Sequence, residues 1–101
     1  MKIGVTGATG FIGGAIAQRL TAGHAVRALA RRPPPAGSSP APVEWVGGDL
    51  TDPKSLASFA GGLDAVVHCA ARTSEGAPNP AESQAVNVEG TGHLLRACQQ
   101  A

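Results

Sequence analysis

The sequence predicts an α/β fold, namely the first half of a doubly wound parallel sheet with strands in the order 3-2-1-4. Short apolar runs alternate with helix-patterned segments along all 101 residues, an order that forms parallel sheets through right-handed crossovers. A glycine-rich turn joins the first apolar run to the first helical segment. Polar and small residues follow the later strands. The ligand crevice is therefore expected at the carboxyl ends of strands 1 and 4.

Each predicted strand is a short apolar run bounded by turn residues, as buried parallel strands are. The runs predict strands at 2–6, 24–30, 43–46 and 64–68. The segment 31–42 contains five prolines and predicts a loop, so the usual crossover helix is missing there. A domain linker is the alternative, but the flanking segments are too short to be separate domains. A second loop, rich in Pro, Gly, Asn and Ser, is predicted at 73–80.

Periodic apolar positions predict three helices, at 11–22, at 53–60 and from about residue 81 to the end of the chain. Asp52 can cap the second helix with Pro53 at its first position, and glycines at 23 and 61 stand where the first two helices end. The periodic apolar residues of the first helix are Ile12, Ala15, Ile16 and Leu20. The last helix is expected to bury Ala85, Val88, Leu95 and Cys98, with Leu94 beside them.

The composition excludes several classes of function. Eight basic and seven acidic side chains give a net charge of +1, which provides no basic face for nucleic acid. Cys69 and Cys98 lie in apolar surroundings without metal-ligand spacing, so we interpret them as buried thiols in a reducing compartment. No run of about 18 apolar residues is present, so no membrane span is predicted and the expected location is cytoplasmic.

The glycine-rich turn is the clearest functional signal. Gly7, Gly10 and Gly13 lie three residues apart between a predicted strand and a predicted helix. Gly7 tolerates the positive φ of a sharp turn, Gly10 leaves room for a pyrophosphate, and Gly13 lets the helix pack closely on the strand. The first N–H groups of the helix would then face the anion. A glycine turn that serves packing alone is the alternative, which this spacing and context do not favour.

With Thr6 in front, the pattern Gly-x-x-Gly-x-x-Gly resembles the turn of the extended or atypical short-chain dehydrogenase/reductase family, which includes NAD-dependent epimerases and dehydratases. The resemblance implies a Rossmann-like domain in which the turn from Gly7 to Gly13 holds the pyrophosphate of a dinucleotide. Thr9, Phe11 and Ile12 are therefore expected to contact the cofactor together with the three glycines.

Two arginines follow the second predicted strand, where dinucleotide folds usually carry Asp or Glu for the adenosine ribose hydroxyls. Arg31 and Arg32 could instead hold a 2′-phosphate through parallel hydrogen bonds. A solvated pair at the start of a surface loop is the alternative. The position favours NADP over NAD as the cofactor.

Further resemblances follow the third and fourth strands. Asp49 and Leu50 match an acidic-aliphatic pair that in the family binds the adenine amino group and covers its ring. The segment His68-Cys69-Ala70-Ala71 resembles the family's His-x-Ala-Ala, in which the two alanines let the backbone approach the cofactor's ribose and phosphates. His68 is interpreted as structural, because the family does not use this histidine as the base and no Ser or Asp partner is evident nearby.

Asn87 begins an Asn-x-x-Gly-Thr element that resembles the family element ordering the central sheet and a water chain to the catalytic lysine. A helix-surface amide is the alternative. The family's catalytic Tyr-x-x-x-Lys is absent, since the chain contains no tyrosine. No catalytic residue is therefore assigned beyond this supporting asparagine, and no metal site is predicted.

The resemblance implies that residues 1–101 are the amino-terminal part of a single NAD(P)-binding domain, with the rest of the domain missing. The longer protein would be an oxidoreductase, epimerase or dehydratase acting on a small-molecule substrate. A non-catalytic relative that binds NADP as a sensor or structural element stays an alternative. The 101 residues alone are expected to show no turnover. They are also expected to self-associate, because the outer edge of the fourth strand would present unpaired backbone groups.

Overall fold

The computed structural model describes residues 1–35, 42–70 and 85–101 of the chain. The elements in these ranges are β1 (Lys2–Thr6), α1 (Phe11–Leu20), β2 (Ala25–Ala30), β3 (Val43–Gly47), α2 (Pro53–Ala60), β4 (Ala65–His68), a π-helical turn (Ala85–Glu89) and α3 (Gly90–Gln100). Every strand begins and ends within one residue of its predicted bounds. The predicted loop at 31–42 is described only at its two ends, and the one at 73–80 lies outside the described residues.

The described strands form one parallel sheet in the order β3-β2-β1-β4, which confirms the predicted fold class and strand order. Thr6 at the end of β1 lies opposite Leu29 of β2 and His68 of β4. Ala30 at the end of β2 lies opposite Gly47 of β3. The carboxyl ends of the strands therefore meet at one edge of the sheet, where this class of fold binds ligands.

Each face of the sheet is covered by helices, because successive side chains of a strand point to opposite faces. On one face α1 contributes Ala17 to a buried cluster with Val5, Ala8, Val26 and Ala28. A second cluster joins α2 and α3 to the strand and loop residues at the other side; its buried members are Leu29, Leu50, Leu56, Phe59, Ala60, Leu94 and Ala97. The two clusters hold the sheet rigidly between the helices.

The caps of α2 follow the prediction. Pro53 is the first helical residue, and the Asp52 side chain accepts the backbone N–H of Lys54 at 3.2 Å. Helix α1 ends at Leu20, two residues earlier than predicted, and a turn leads from there into β2. None of the helices in the described ranges is both long and apolar enough to cross a bilayer.

The buried face of the last helix differs from the predicted one. Val88 and Leu95 were expected in the core, but their side chains are 63% and 60% exposed. The buried residues of α3 are Gly90, Leu94 and Ala97. Small residues on either side of Leu94 let α3 approach α2 closely. The face of α3 that packs against α2 is therefore the buried one, although the exposed face carries the large apolar side chain of Leu95.

The other helix faces also differ in detail. Cys98 is only partly buried, at the margin of the α2–α3 cluster, and the side chain of Ala85 lies outside the described part of the structure. In α1 the buried residues are Gly13 and Ala17, whereas Ile12 is 68% exposed. Close backbone packing of α1 on the sheet again favours small residues over large ones.

Arg27 ties three elements together from the middle of β2. Its side chain is only 11% exposed, and its Nη1 donates to the backbone carbonyls of Phe59 and Gly61, at 2.7 Å each. Its Nε donates to the Glu44 carboxylate of β3 at 3.1 Å. The guanidinium therefore satisfies carbonyls at the negative end of the α2 dipole while it pairs across the sheet.

We predict that Arg27→Met lowers the free energy of unfolding by about 1.5–3 kcal/mol, because it removes charged hydrogen bonds to the end of α2. Glu44→Gln should cost less than about 1 kcal/mol, since that carboxylate is half-exposed and water screens the pair. Urea unfolding of both variants measures the difference. Equal losses would mean that the carbonyl contacts contribute nothing beyond the ion pair.

Candidate functional site

A cleft of about 290 Å³ lies at the carboxyl edge of the sheet. It is lined by residues in the last positions of β1 and β2 and in the segments that follow the four strands; they are Thr6, Gly7, Thr9, Gly10, Leu29, Ala30, Arg31, Gly48, Asp49, Leu50, Cys69 and Ala70. Seven residues predicted from the sequence as cofactor contacts are among them. The structure thus brings together signals that are up to 63 positions apart in the chain, from Gly7 to Ala70.

The turn between β1 and α1 forms the floor of this cleft. Gly7 has a φ of +74°, the left-handed region that favours glycine. The Gly10 N–H donates to the Gly7 carbonyl at 3.0 Å, which closes the turn. Gly10 is also the N-cap of α1 and has an ordinary extended backbone, with φ −82° and ψ 170°. The sharp reversal therefore depends on Gly7 and not on Gly10.

The first and third glycines are required by close backbone packing. A Cβ on Gly13 would lie 2.1 Å from the Gly7 carbonyl oxygen. A Cβ on Gly7 would lie 2.7 Å from the backbone nitrogen of Ala70, at the end of β4. A Cβ on Gly10 would lie 3.3 Å from the Gly7 carbonyl oxygen, a tight contact but a longer one than those at Gly7 and Gly13. Gly7 and Gly13 are therefore required for packing. Gly10 is the least crowded of the three and lines the cleft, so it is the glycine that the ligand interpretation fits.

Helix α1 begins at the cleft without a side-chain cap. Its N-cap residue is Gly10, which has no side chain to accept the first N–H groups, and its first turn contains no acidic residue. Those N–H groups have no intrahelical acceptor and carry the positive end of the helix dipole. The side chains of Phe11 and Ile12 are 95% and 68% exposed and do not line the cleft, so any contact they make to a ligand there would come from their backbone.

Two arginines lie at the rim after β2. Arg31 lines the main cleft and, with Arg32, Thr9 and Ala30, a second pocket beside it. Both arginine side chains are exposed. The rim at this point is cationic, because neither pocket lining contains an acidic residue other than Asp49.

The turn after β3 uses its acidic residue locally as well. The Asp49 Oδ1 accepts the backbone N–H and the hydroxyl of Thr51, each at 2.9 Å. The Asp49 backbone N–H donates to the Ser55 hydroxyl at 3.0 Å, and that hydroxyl lies within donating distance of the Asp49 and Asp52 carbonyls, at 3.1 and 2.8 Å. These bonds tie the turn to α2. Leu50 is buried in the α2–α3 cluster and lines the cleft. Asp49 is therefore both a turn residue and a cleft residue.

Thr6 connects the ends of β1 and β4. Its side chain is fully buried, and its Oγ1 accepts the backbone N–H of Cys69 at 3.1 Å and of Ala70 at 3.2 Å. The same oxygen lies 2.5 Å from Nδ1 of His68. These bonds fix the backbone of the β4 end where it borders the cleft. Ala71, the other predicted alanine, lies outside the described residues.

His68 is held at both ring nitrogens. Its Nε2 lies 3.0 Å from the Thr91 hydroxyl of α3, and that hydroxyl donates to the Asn87 carbonyl at 2.8 Å. Burial lowers the pKa of His68 below its usual value of 6.5. Its ring partners are thus two threonines, Thr6 and Thr91, and neither a Ser nor an Asp. Asn87 takes part through its backbone carbonyl.

Sequence reasoning did not assign Thr6, Ala30, Cys69 or Thr91 to the site. Thr6 and Thr91 were visible as members of motifs, directly before the glycine turn and at the end of Asn-x-x-Gly-Thr. The signal that could have identified these two threonines is a hydroxyl residue at the terminus of each element that contacts His68: Thr6 ends β1 and Thr91 is the second residue of α3.

Comparison with known proteins agrees with this geometry. The model of the NAD dependent epimerase/dehydratase family matches residues 3–101. The chain belongs to that family. A crystal structure of a short-chain dehydrogenase/reductase superfamily protein from Agrobacterium tumefaciens with bound NAD matches the whole chain with a TM-score of 0.82 and 37% identity. The predicted family and the Rossmann-like fold are confirmed.

Curated relatives are similar over almost the whole chain. A 3-beta-hydroxysteroid dehydrogenase of Mycolicibacterium neoaurum is 37% identical over 99% of this chain, and an uncharacterized protein of Mycobacterium tuberculosis is 34% identical over 96% of it. The chain spans 29% and 10% of the length of these two relatives, and 30% of the Agrobacterium protein.

We predict that Gly13→Ala and Gly92→Ala change stability in opposite directions. Alanine normally stabilises a helix interior by about 1 kcal/mol relative to glycine, and a Cβ on Gly92 of α3 meets only the Arg96 side chain, at 3.5 Å. At Gly13 the same methyl group meets the Gly7 carbonyl, so a loss of about 1–3 kcal/mol or more is expected. Denaturant unfolding measures both. A stabilised Gly13→Ala variant would contradict the close approach of α1 to the turn.

Proposed function

We propose that this chain forms the dinucleotide-binding part of an NAD(P)-dependent oxidoreductase, epimerase or dehydratase of the extended short-chain dehydrogenase type, with a preference for NADP. The observation that carries the proposal is the cleft at the carboxyl edge of the sheet, floored by the Gly7–Gly13 turn. The family membership and the named dehydrogenase relative support dinucleotide binding, whereas the preference for NADP rests on Arg31 and Arg32.

The pyrophosphate would lie over Gly10, against the start of α1. The helix presents N–H groups that no side chain caps, and no acidic residue in its first turn would repel an anion. A Cβ at Gly10 would project from the turn into the space that the phosphates require. Thr9, Phe11 and Ile12 would then contribute polar or backbone contacts from the same turn, and Gly7 and Gly13 would hold its shape.

The adenosine half would extend toward the ends of β2 and β3. Arg31 and Arg32 would bind a 2′-phosphate, since a guanidinium forms paired hydrogen bonds to phosphate oxygens. Asp49 would accept the adenine amino group, and Leu50 would cover its ring. Ala70 and Ala71 at the end of β4 would let the nicotinamide half approach the backbone. Asn87 would support the site from the last helical segment.

The bound dinucleotide would supply hydride transfer to or from a carbon of a small-molecule substrate. The residues of this chain would bind and orient it, and exclude water from it, through the turn and the strand ends. The acid–base pair of the family is not among them, since the chain contains no tyrosine. We therefore propose that these 101 residues bind nucleotide without turnover.

The location of the cofactor can be tested through the two thiols. We predict that saturating NADP slows alkylation of Cys69 at least about tenfold, because Cys69 lines the cleft and a bound ligand covers it. Cys98 lies on α3 outside the cleft lining and should react at the same rate with or without nucleotide. Mass spectrometry of the labelled peptides separates the two cysteines.

Gly10→Val is the matched variant for this experiment. The φ of Gly10 suits any residue, and a Cβ there makes a longer contact than one at Gly7 or Gly13, so the variant should stay folded. It should lose both its affinity for the nucleotide and the protection of Cys69. Circular dichroism checks the fold and calorimetry the affinity. Unchanged affinity in folded Gly10→Val, or protection of Cys98 in place of Cys69, would rule out this site.

Cofactor preference gives a separate test. A charged hydrogen bond to phosphate contributes about 1.5–3 kcal/mol, so we predict that the parent binds NADP roughly 10- to 150-fold more tightly than NAD. Arg31→Asp combined with Arg32→Ser should reverse that order. Arg19→Asp combined with Arg96→Ser makes the same change of net charge at exposed positions away from the cleft and should leave the ratio unchanged. Equal affinities for the two nucleotides in the parent would refute the preference.

A further inference from the structure

A continuous hydrogen-bonded chain crosses the protein behind the cleft. It runs from Thr6 on β1 to His68 on β4, then to Thr91 on α3 and the Asn87 carbonyl in the π-helical turn. The three separations are 2.5, 3.0 and 2.8 Å, so every link is within hydrogen-bond distance. The imidazole ring of His68 thus links β1 directly to α3, and through Thr91 to the π-helical turn.

The direction of each bond follows from the last one. A backbone carbonyl only accepts, so the single proton of the Thr91 hydroxyl is donated to Asn87. Thr91 must then accept from the ring, which puts the imidazole proton on Nε2. Nδ1 is left as an acceptor and receives the Thr6 hydroxyl proton. The chain is consistent only with the neutral Nε2–H form of His68.

Thr6 has no capacity left for a second ring proton. A hydroxyl has one donor and two acceptor positions, and the N–H groups of Cys69 and Ala70 already occupy both acceptor positions. An Nδ1–H of a charged His68 would face an oxygen whose own proton also points at it. The Thr6 hydroxyl would have to turn away and release one of those two backbone groups, and both residues line the cleft.

We propose that neutral His68 is a positioning residue for the dinucleotide, which holds the β4 end in its binding geometry and releases it when protonated. The proposal rests on the proposed function, because the ligand concerned is the same nucleotide. Its consequence is that nucleotide affinity falls on acidification, as the fraction of neutral His68 declines. His68 would act through Thr6 and the backbone it holds, not by contact with the reacting atoms.

The charged groups near His68 do not oppose this conclusion. Burial is the cause of its lowered pKa. On the helical segment that packs beside it, Glu89 and Arg96 are exposed, and Nδ1 of His93 is bonded to the Leu50 carbonyl. On its own strand the next titratable group is Cys69, and on β1 it is Lys2 at the opposite end. Arg72, Glu75 and Glu82 lie outside the described residues.

The sign of the pH dependence is determined by the lowered pKa. The unfolded chain takes up the proton near pH 6.5 and the folded chain only at lower pH, so stability from this group is complete above 6.5 and is lost as the pH falls. If nucleotide binding requires neutral His68, the affinity for the nucleotide also decreases as the pH falls. Its loss begins as the pH approaches the lowered pKa of the folded protein.

The test measures the affinity of NAD over a window from about pH 8 down to the lowest pH at which circular dichroism shows a folded protein, because the lowered pKa of His68 places its protonation below the usual histidine range. NAD is used because its pyrophosphate does not titrate there, whereas a 2′-phosphate does. We expect the parent to lose affinity for NAD progressively as the pH falls below about 6.5, because the pKa of His68 is lowered from that value. His68→Gln presents an amide acceptor and an amide donor but does not titrate, so its affinity should vary little over the window. His68→Phe removes both bonds and should bind weakly throughout.

Two further histidine variants identify the titrating group. His24→Gln and His93→Gln should keep the pH dependence of the parent, since neither ring belongs to the chain of bonds. A pH dependence that survives in His68→Gln, or that disappears in His93→Gln, would overturn the proposal. So would an Nδ1–H form of His68 in the nitrogen-15 NMR spectrum of the parent near neutral pH.

A measurement without nucleotide separates this proposal from the proposed function. Amide hydrogen exchange of Cys69 and Ala70, corrected for its intrinsic pH dependence, should accelerate on acidification in the parent but not in His68→Gln. If that holds and NAD binds at no pH, the proposed function fails while the control of the β4 end by His68 stands. If NAD binds and both amides exchange at a corrected rate that does not depend on pH, the positioning role of His68 is wrong and the proposed nucleotide-binding function stands.

Discussion

The architecture of the site depends on the approach of three stretches of backbone around Gly7. The end of β1, the start of α1 and the end of β4 meet there. A Cβ on Gly13 of α1 would lie 2.1 Å from the Gly7 carbonyl oxygen, and a Cβ on Gly7 would lie 2.7 Å from the backbone nitrogen of Ala70. Dense packing of this kind leaves no room for adjustment. The cleft exists because these three stretches are held together while the helix start stays uncapped beside them.

Polar bonds reinforce the same junction from within. Thr6 is the residue directly before Gly7, and its buried hydroxyl joins the two strand ends that the glycine brings together. His68 extends that link to the last helix through Thr91. Steric contact and hydrogen bonding therefore act on the same few residues, and the strand ends that border the cleft are fixed by both.

The sheet could be predicted from the sequence because its signals are local. Each strand is a short apolar run bounded by turn residues, and the alternation of these runs with helical segments is typical of the parallel sheet observed. The Asp52–Pro53 start of α2 is likewise a local signal and is present in the structure. The site residues at the strand ends follow from the topology, since parallel strands end at one edge.

What could not be predicted depends on contacts between distant parts of the chain. The buried face of α3 is the one that packs against α2 through Leu94 and Ala97, whereas Leu95 of the same helix is exposed. The bonds of His68 join residues 62 and 23 positions away, and no local pattern contains them.

The exposure of Arg31 and Arg32 has a consequence for how such a protein can diverge. Both lie on the rim, past the last paired residues of β2 and outside the buried clusters. A substitution there alters the charge that an arriving ligand meets but leaves the junction at Gly7 intact. Descendants of one ancestral chain could therefore exchange one ligand for another through a few rim residues, while the glycines beneath stay under purifying selection.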